Sequence, residues 1–243
     1  MHNVLVIFRR EFASYFATPL AFVFLVIFLV LVGFFTFQFG RFFEIGQADL
    51  TPFFFYQPWL YLVLMPAITM RLWAEERKEG TIELLMTLPI TVWQAVVGKF
   101  LAAWAFAAVA LALTFPTWIT VNYLGDPDNG VIFAAYISSL LMAGGFIAIG
   151  ACLSAATRNQ VIAFIFTLVV CFLFLLIGWP PVLAVIDFLP QALIDGVASL
   201  SFITHFESMR KGVIDLRDII YFGALIAAWL AANTLVLEMK KAD

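Results

Sequence analysis

Six stretches of this sequence run without a single Asp, Glu, Lys or Arg for long enough to cross a membrane: residues 12–40, 50–70, 100–125, 129–157, 159–186 and 219–237. A helix needs about 20 apolar residues to cross the roughly 30 Å hydrocarbon layer. Each run holds a continuous apolar core, as in Leu20–Phe39 and Val161–Gly178. In lipid the backbone must satisfy its own hydrogen bonds within the segment, so each run is expected to be helical. Barrel strands would instead alternate and be about ten residues long. The expected fold is all-α: a polytopic membrane protein in which residues 1–243 form a single transmembrane domain of six helices. Composition agrees, with 64% hydrophobic residues, 12% charged residues and a mean hydropathy of +1.04. Soluble domains are about 45–50% apolar and about 25% charged. A soluble enzyme, a disordered chain and a nucleic-acid binder are thereby excluded. With 13 Lys and Arg against 16 Asp and Glu, no basic field exists to hold nucleic acid. Cys152 and Cys171 sit in apolar stretches and offer neither a disulfide framework nor metal-ligand spacing.

Basic residues orient the chain. With the N-terminus inside and six alternating spans, the inner side carries Arg9, Arg10, Arg71, Arg77, Lys78, Lys99, Arg158, Lys240 and Lys241, and the outer side Arg41, Arg210, Lys211 and Arg217. This asymmetry places both termini in the cytoplasm, in a cell inner (plasma) membrane. Arg9-Arg10-Glu11-Phe12 loosely resembles a twin-arginine signal, but the apolar run after it is too long and lacks a cleavage site, so no cleavable leader is expected.

Residues 3–17 place Val4, Leu5, Ile7, Phe8, Phe12, Tyr15 and Phe16 on one half of a helical wheel and Asn3, Arg9, Arg10 and Ser14 on the other. This suits a helix over 1–18 lying flat at the cytoplasmic interface, with Pro19 bending the chain into the first span; a plain extension of that span is the alternative. The outer loop 40–58 is aromatic, as expected of an interfacial belt. Gly125 to Gly130 form a turn cluster between spans three and four. Gly144, Ala148, Ala151 and Ala155 make a small-residue stripe, suited to close helix packing within one subunit or between two. Residues 179–218 form the longest outer segment, opened by Trp179-Pro180-Pro181 and read as one or two short helices at the outer surface.

The loop between spans two and three is the most informative segment. Gly80 breaks a charged turn, Thr81 can cap a short helix with Glu83 in its first turn, and Pro89 stops it. Thr91-Val92-Trp93-Gln94 reads as a capping box that starts span three. The outcome is a short helix, charged on one side and lined by Leu and Met on the other. It suits a groove on a soluble partner; an ordinary solvated loop is the alternative.

Glu75-Glu76-Arg77-x-x-Gly80-Thr81-Ile82-Glu83-Leu84-Leu85-x-Thr87-x-Pro89 resembles the inner-loop motif of ABC-2 type transporter permeases. Arg10-Glu11-Phe12 followed by Thr18-Pro19-Leu20 resembles the N-terminal pattern of that family, and Thr204 to Asp218 resembles the stretch before the last span in its gliding-motility-type branch. The resemblance implies a permease subunit that pairs with a second, identical or related, permease chain to enclose a transport path. It further implies coupling to a cytosolic ABC ATPase dimer, which would bind ATP and Mg; no cofactor is expected on this chain. Glu75, Glu76, Arg77, Gly80, Thr81 and Glu83 would carry the coupling, and Arg10 and Glu11 would steady the interfacial helix by local charge pairing. An outer patch of His205, Glu207, Arg210, Asp215, Arg217 and Asp218 would close the outer end, dock a membrane protein bearing a large outer domain, or simply be solvated.

The residues supply no energy source of their own. A P-loop needs a glycine six residues before its Gly-Lys pair, but Trp93 stands at that place before Gly98-Lys99, and Phe100 replaces the Ser or Thr. No enzyme activity is expected. An intramembrane peptidase would need an Arg where Gly80 stands and histidines besides the terminal His2 and the outer His205. An ion-driven transporter would place ionisable groups near the membrane midplane, where these spans have none. A non-transporting membrane assembly subunit or an ion-driven transporter is the alternative.

Overall fold

The computed structural model describes residues 2–46, 48–82, 89–185, 188 and 190–240. Helix α1, His2–Ala17, is separated from α2, Pro19–Phe34, by an extended Thr18. Pro19 fits the first helical position because an N–H there would have no intrahelical partner. The end of α2 passes into a π-helical turn, Phe35–Phe39, and then into α3, Phe42–Ile45. Next come α4, Thr51–Thr69, and the short α5, Ala74–Glu79. The chain continues through α6, Val92–Ala112, α7, Phe115–Leu124, α8, Asn129–Ala156, and α9, Gln160–Leu176. Three short helices follow, α10 at Pro180–Val185, α11 at Gln191–Ala198 and α12 at Phe202–Arg210, before the closing α13, Leu216–Met239.

Five helical stretches are long and apolar enough to span a membrane: Pro19–Glu44, Thr51–Glu79, Val92–Leu124, Asn129–Ala156 and Leu216–Met239. The chain is an all-α, multi-pass membrane protein. The run expected to give a span over 159–186 forms only the 17-residue α9. At 1.5 Å per residue that is about 26 Å, short of the hydrocarbon thickness of about 30 Å. The helix stops because Gly178 and Trp179 turn the chain and Pro180-Pro181 supply no amide hydrogens to continue it. The expected six spans are therefore five long helices and one shorter one.

Helix α8 stands at the centre, in contact with α4, α6, α9, α12 and α13. Its apolar window is 72% buried, against 28% for the first span and 17% for α13. The small-residue stripe explains this. Gly144, Ala148, Ala151 and Ala155 are all buried, and a Cβ on Gly144 would lie 2.9 Å from Ile226 of α13 and 3.1 Å from Trp104 of α6. The stripe thus packs within this chain.

Two ends result. One carries α1, the Met70–Glu79 segment, the start of α6, the end of α8 and Lys240, whose ammonium donates to the Ala156 carbonyl. The other carries residues 40–46 and 48–50, the α7–α8 turn and residues 179–185 and 190–215.

Candidate functional site

The charged turn expected before Gly80 is itself a helix. Glu75 and Glu76 lie in the first turn of α5 and Arg77 and Lys78 in the last, which suits the helix dipole. Gly80 ends it at φ +73°, a left-handed conformation that glycine adopts without strain. Its N-terminal capping residue is Trp73, whose side chain gives no cap. The cap comes instead from α8. The Ser154 hydroxyl accepts the backbone N–H groups of Trp73 and Ala74, both at 3.1 Å, and donates to the Met70 carbonyl at 3.0 Å. One side chain therefore seats the turn between α4 and α5 on the central helix. Past Gly80, Thr81 is helical and its hydroxyl donates to the Glu76 carbonyl at 3.4 Å. Glu83 and the rest of the expected short helix to Leu88 lie outside the described residues.

Opposite α5 stands the start of α6. The expected capping box is present, with the Gln94 N–H donating to Thr91 Oγ1 and the Thr91 N–H to Gln94 Oε1, each at 3.3 Å. Deeper in this apolar helix, Lys99 is only 3% exposed. Taking an ammonium out of water costs several kcal/mol unless it is paired and hydrogen-bonded. Lys99 Nζ lies 2.8 Å from Glu76 Oε1 of α5 and 3.0 Å from Glu11 Oε2 of α1, and 5.1 Å from the centre of the Trp73 ring. Glu76 Oε2 is buried with no hydrogen-bond partner among the described residues.

Helix α1 packs chiefly on α6. Gly98 admits it, since a Cβ there would lie 2.7 Å from Ile7 Cγ2 and 3.3 Å from the Val4 carbonyl oxygen. Asn3 donates to Gln94 Oε1 at 3.2 Å, and the Tyr15 ring stacks on Phe106 with centroids 5.0 Å apart. Burial, and after it the charge of Glu11, push the Tyr15 phenol above its ordinary pKa. The local Arg10–Glu11 pairing measures 4.0 Å with Arg10 67% exposed, so the shorter contact that holds Glu11 is the one to Lys99. An exposed pair of the Arg10 kind contributes at most about 1 kcal/mol. Arg71 approaches Glu75 at 3.8 Å. Between α1, α2, α4 and α6 these groups line a cavity of about 440 Å³, charged around Arg10, Glu11 and Arg71 and apolar around Phe24, Ile68 and Phe106.

At the opposite end, the charged residues expected to form one patch separate into distinct groups. His205 and Asp218 are buried, with Nδ1 2.6 Å from Asp218 Oδ1 and Nε2 2.8 Å from the Ser199 carbonyl oxygen. The His205 ring stacks on Tyr221 at 3.9 Å, and the Tyr221 hydroxyl donates to the Leu200 carbonyl at 2.6 Å. These contacts pin α12 and the turn before it to α13. Arg210 donates to Glu207 at 3.0 Å and lies 5.9 Å from the Phe55 ring centre, with Lys211 at 3.8 Å from Glu207. Asp215 caps α13 by accepting the Arg217 N–H at 2.9 Å, a backbone task apart from the buried pair. The Arg217 side chain is not brought to the buried pair by any described contact.

Sequence reasoning passed over Lys99 and Ser154. A lysine inside an otherwise apolar helix was a signal in its own right, since such a charge must find a buried partner. Ser154 gave none, because a serine in a small-residue stripe looks like any other packing residue.

Helical spans around a buried central helix, with a charged helix and an amphipathic helix joined at one end, define a multi-pass membrane component. The chain matches the family model described as ABC-2 family transporter protein over residues 5–236, and it belongs to that family. Its members are membrane components of ABC transporters, which work with an ABC ATPase. No curated protein matches the sequence.

Proposed function

We propose that this chain is the permease subunit of an ATP-driven ABC exporter, coupled to a separate cytosolic ATPase dimer through the 75–89 loop. One observation carries the reading: the charged α5, which leads into that loop, and the amphipathic α1 stand side by side at one end of the bundle, tied to one ammonium. That end also holds Arg9, Arg10, Arg71, Arg77, Lys78 and Arg158, which supports a cytoplasmic placement of both termini. Helix α1 then lies at the inner interface of the cell membrane, and ATP and Mg are held by the ATPase.

The large lipid-facing areas left on α2 and α13 supply room for a second permease chain, identical or related, with which this one encloses the path. The segment 179–218, pinned through His205 and Asp218, caps the outer end and presents Glu207 and Arg217 to a membrane protein with a large outer domain, as in the gliding-motility-type branch.

The test is reconstitution with an ABC ATPase that co-purifies with this chain. Gly80→Leu and Glu83→Lys are expected to leave the permease in the membrane and the ATPase bound, while ATP hydrolysis no longer responds to the permease. Unchanged permease-stimulated turnover in both variants would defeat the reading. So would labelling of Lys78 by an impermeant amine reagent from the outside of intact cells.

A further inference from the structure

We propose that Lys99 is a positioning residue that makes α1 and α5 one rigid lever. The proposal rests on the coupling reading above and adds to it the part that transmits. Glu11, Glu76 and Lys99 belong to three segments far apart in sequence, and two of them meet the third at 3.0 and 2.8 Å. Helix α5 is otherwise seated on α8 through Ser154, whereas α1 is otherwise seated on α6 through Gly98, Gln94 and Phe106. Among the described ion pairs and side-chain hydrogen bonds, the Lys99 ammonium is what α1 and α5 share.

A buried charge contributes little net stability, but breaking its pairing is costly because an unpaired charge stays behind in a poorly solvated place. Moving α5 away from α1 would strand the carboxylate of Glu76 or Glu11, which are only 16% and 14% exposed in their side chains. Trp73 at the base of α5 covers the same ammonium, so tilting α5 also uncovers the lysine. An apolar contact at this junction would let the two helices slide. A charge with two fixed acceptors holds one geometry, so force applied to α5 moves α1 with it.

The experiment uses the full-length permease in lipid nanodiscs, with Cys152 and Cys171 replaced by serine and spin labels on Ala13→Cys and Lys78→Cys, both exposed positions. The expected result is a single narrow inter-label distance that keeps its value when the ATPase is added and trapped with ATP and vanadate. Meanwhile the distance from Ala13 to a label on exposed Tyr123, at the other end, changes. The charge-free triple variant Glu11→Gln/Lys99→Met/Glu76→Gln strands no charge and is expected to fold. In it the Ala13–Lys78 distribution should broaden about twofold and the Tyr123 response should be lost. Lys99→Arg should keep the narrow distance.

A broad or nucleotide-dependent Ala13–Lys78 distance in the unaltered protein overturns the proposal. So does a triple variant that still transmits, and the first of these decides even if the triple variant fails to reach the membrane. A narrow distance with no ATPase binding would instead remove the coupling reading and leave the joint standing.

Discussion

Replacing Ser154 with alanine removes one oxygen and with it three contacts: the N–H groups of Trp73 and Ala74 lose their acceptor, and the Met70 carbonyl loses a donor. Trp73 and Ala74 are fully buried, so water does not take the place of the hydroxyl. Each buried amide left unpaired costs about 1–3 kcal/mol. Loss of an ordinary helix N-cap costs about 0.5–2 kcal/mol. Because both amides belong to the same turn and relax together, we expect about 2–4 kcal/mol in all. The loss falls on α5 alone, since the rest of α8 keeps its contacts with α4, α6, α9, α12 and α13. Amide hydrogen exchange in nanodiscs reads this directly: exchange across Ala74–Glu79 should accelerate about 30- to 700-fold, with α8 and α13 unchanged. Exchange within about threefold of the unaltered protein would refute the reasoning, because the amides would then be held by something other than this hydroxyl.

Other substitutions probe the remaining joints. Gly98→Val drives a side chain into Ile7 and the Val4 carbonyl, so α1 should lift from α6 at a cost of about 1–3 kcal/mol; it is read as faster exchange in His2–Ala17, and unchanged protection there would contradict the packing. Asp218→Leu takes away the buried hydrogen-bond partner of His205 and should destabilise the chain by about 1–3 kcal/mol in thermal unfolding, with His205→Phe/Asp218→Leu recovering part of it; equal stability of the single variant and the parent would contradict this. Asp128→Ala takes the acceptor from the Gly130 and Val131 N–H groups at the start of α8 and should cost about 1 kcal/mol, confined in exchange experiments to the first turn of that helix.

The spans were legible because lipid leaves one solution for an uncharged apolar run, and the capping box at Thr91 and Gln94 was legible because it is local in sequence. The length of α9 was less so: the charge-free run continues to residue 186, but glycine and the proline pair end the helix at Leu176. The outer charges looked like one patch because spacing along the chain does not reveal burial. In the fold His205 and Asp218 turn inward while Glu207, Arg210 and Lys211 form a group of their own.

Composition, the charge gaps and the inner-loop motif determined the class of this protein and singled out one candidate segment. Each of these is a property of a contiguous stretch facing a uniform apolar solvent. Which groups meet at that segment was decided by tertiary structure alone. Glu11, Glu76 and Lys99 come from three separate stretches, and Ser154 caps a helix some 80 residues away, at a separation of |i−j| = 80 from Ala74. A buried charge or an unpaired amide demands a partner, but the demand does not say where in the chain that partner lies; only the packing of α1, α5, α6 and α8 against one another does.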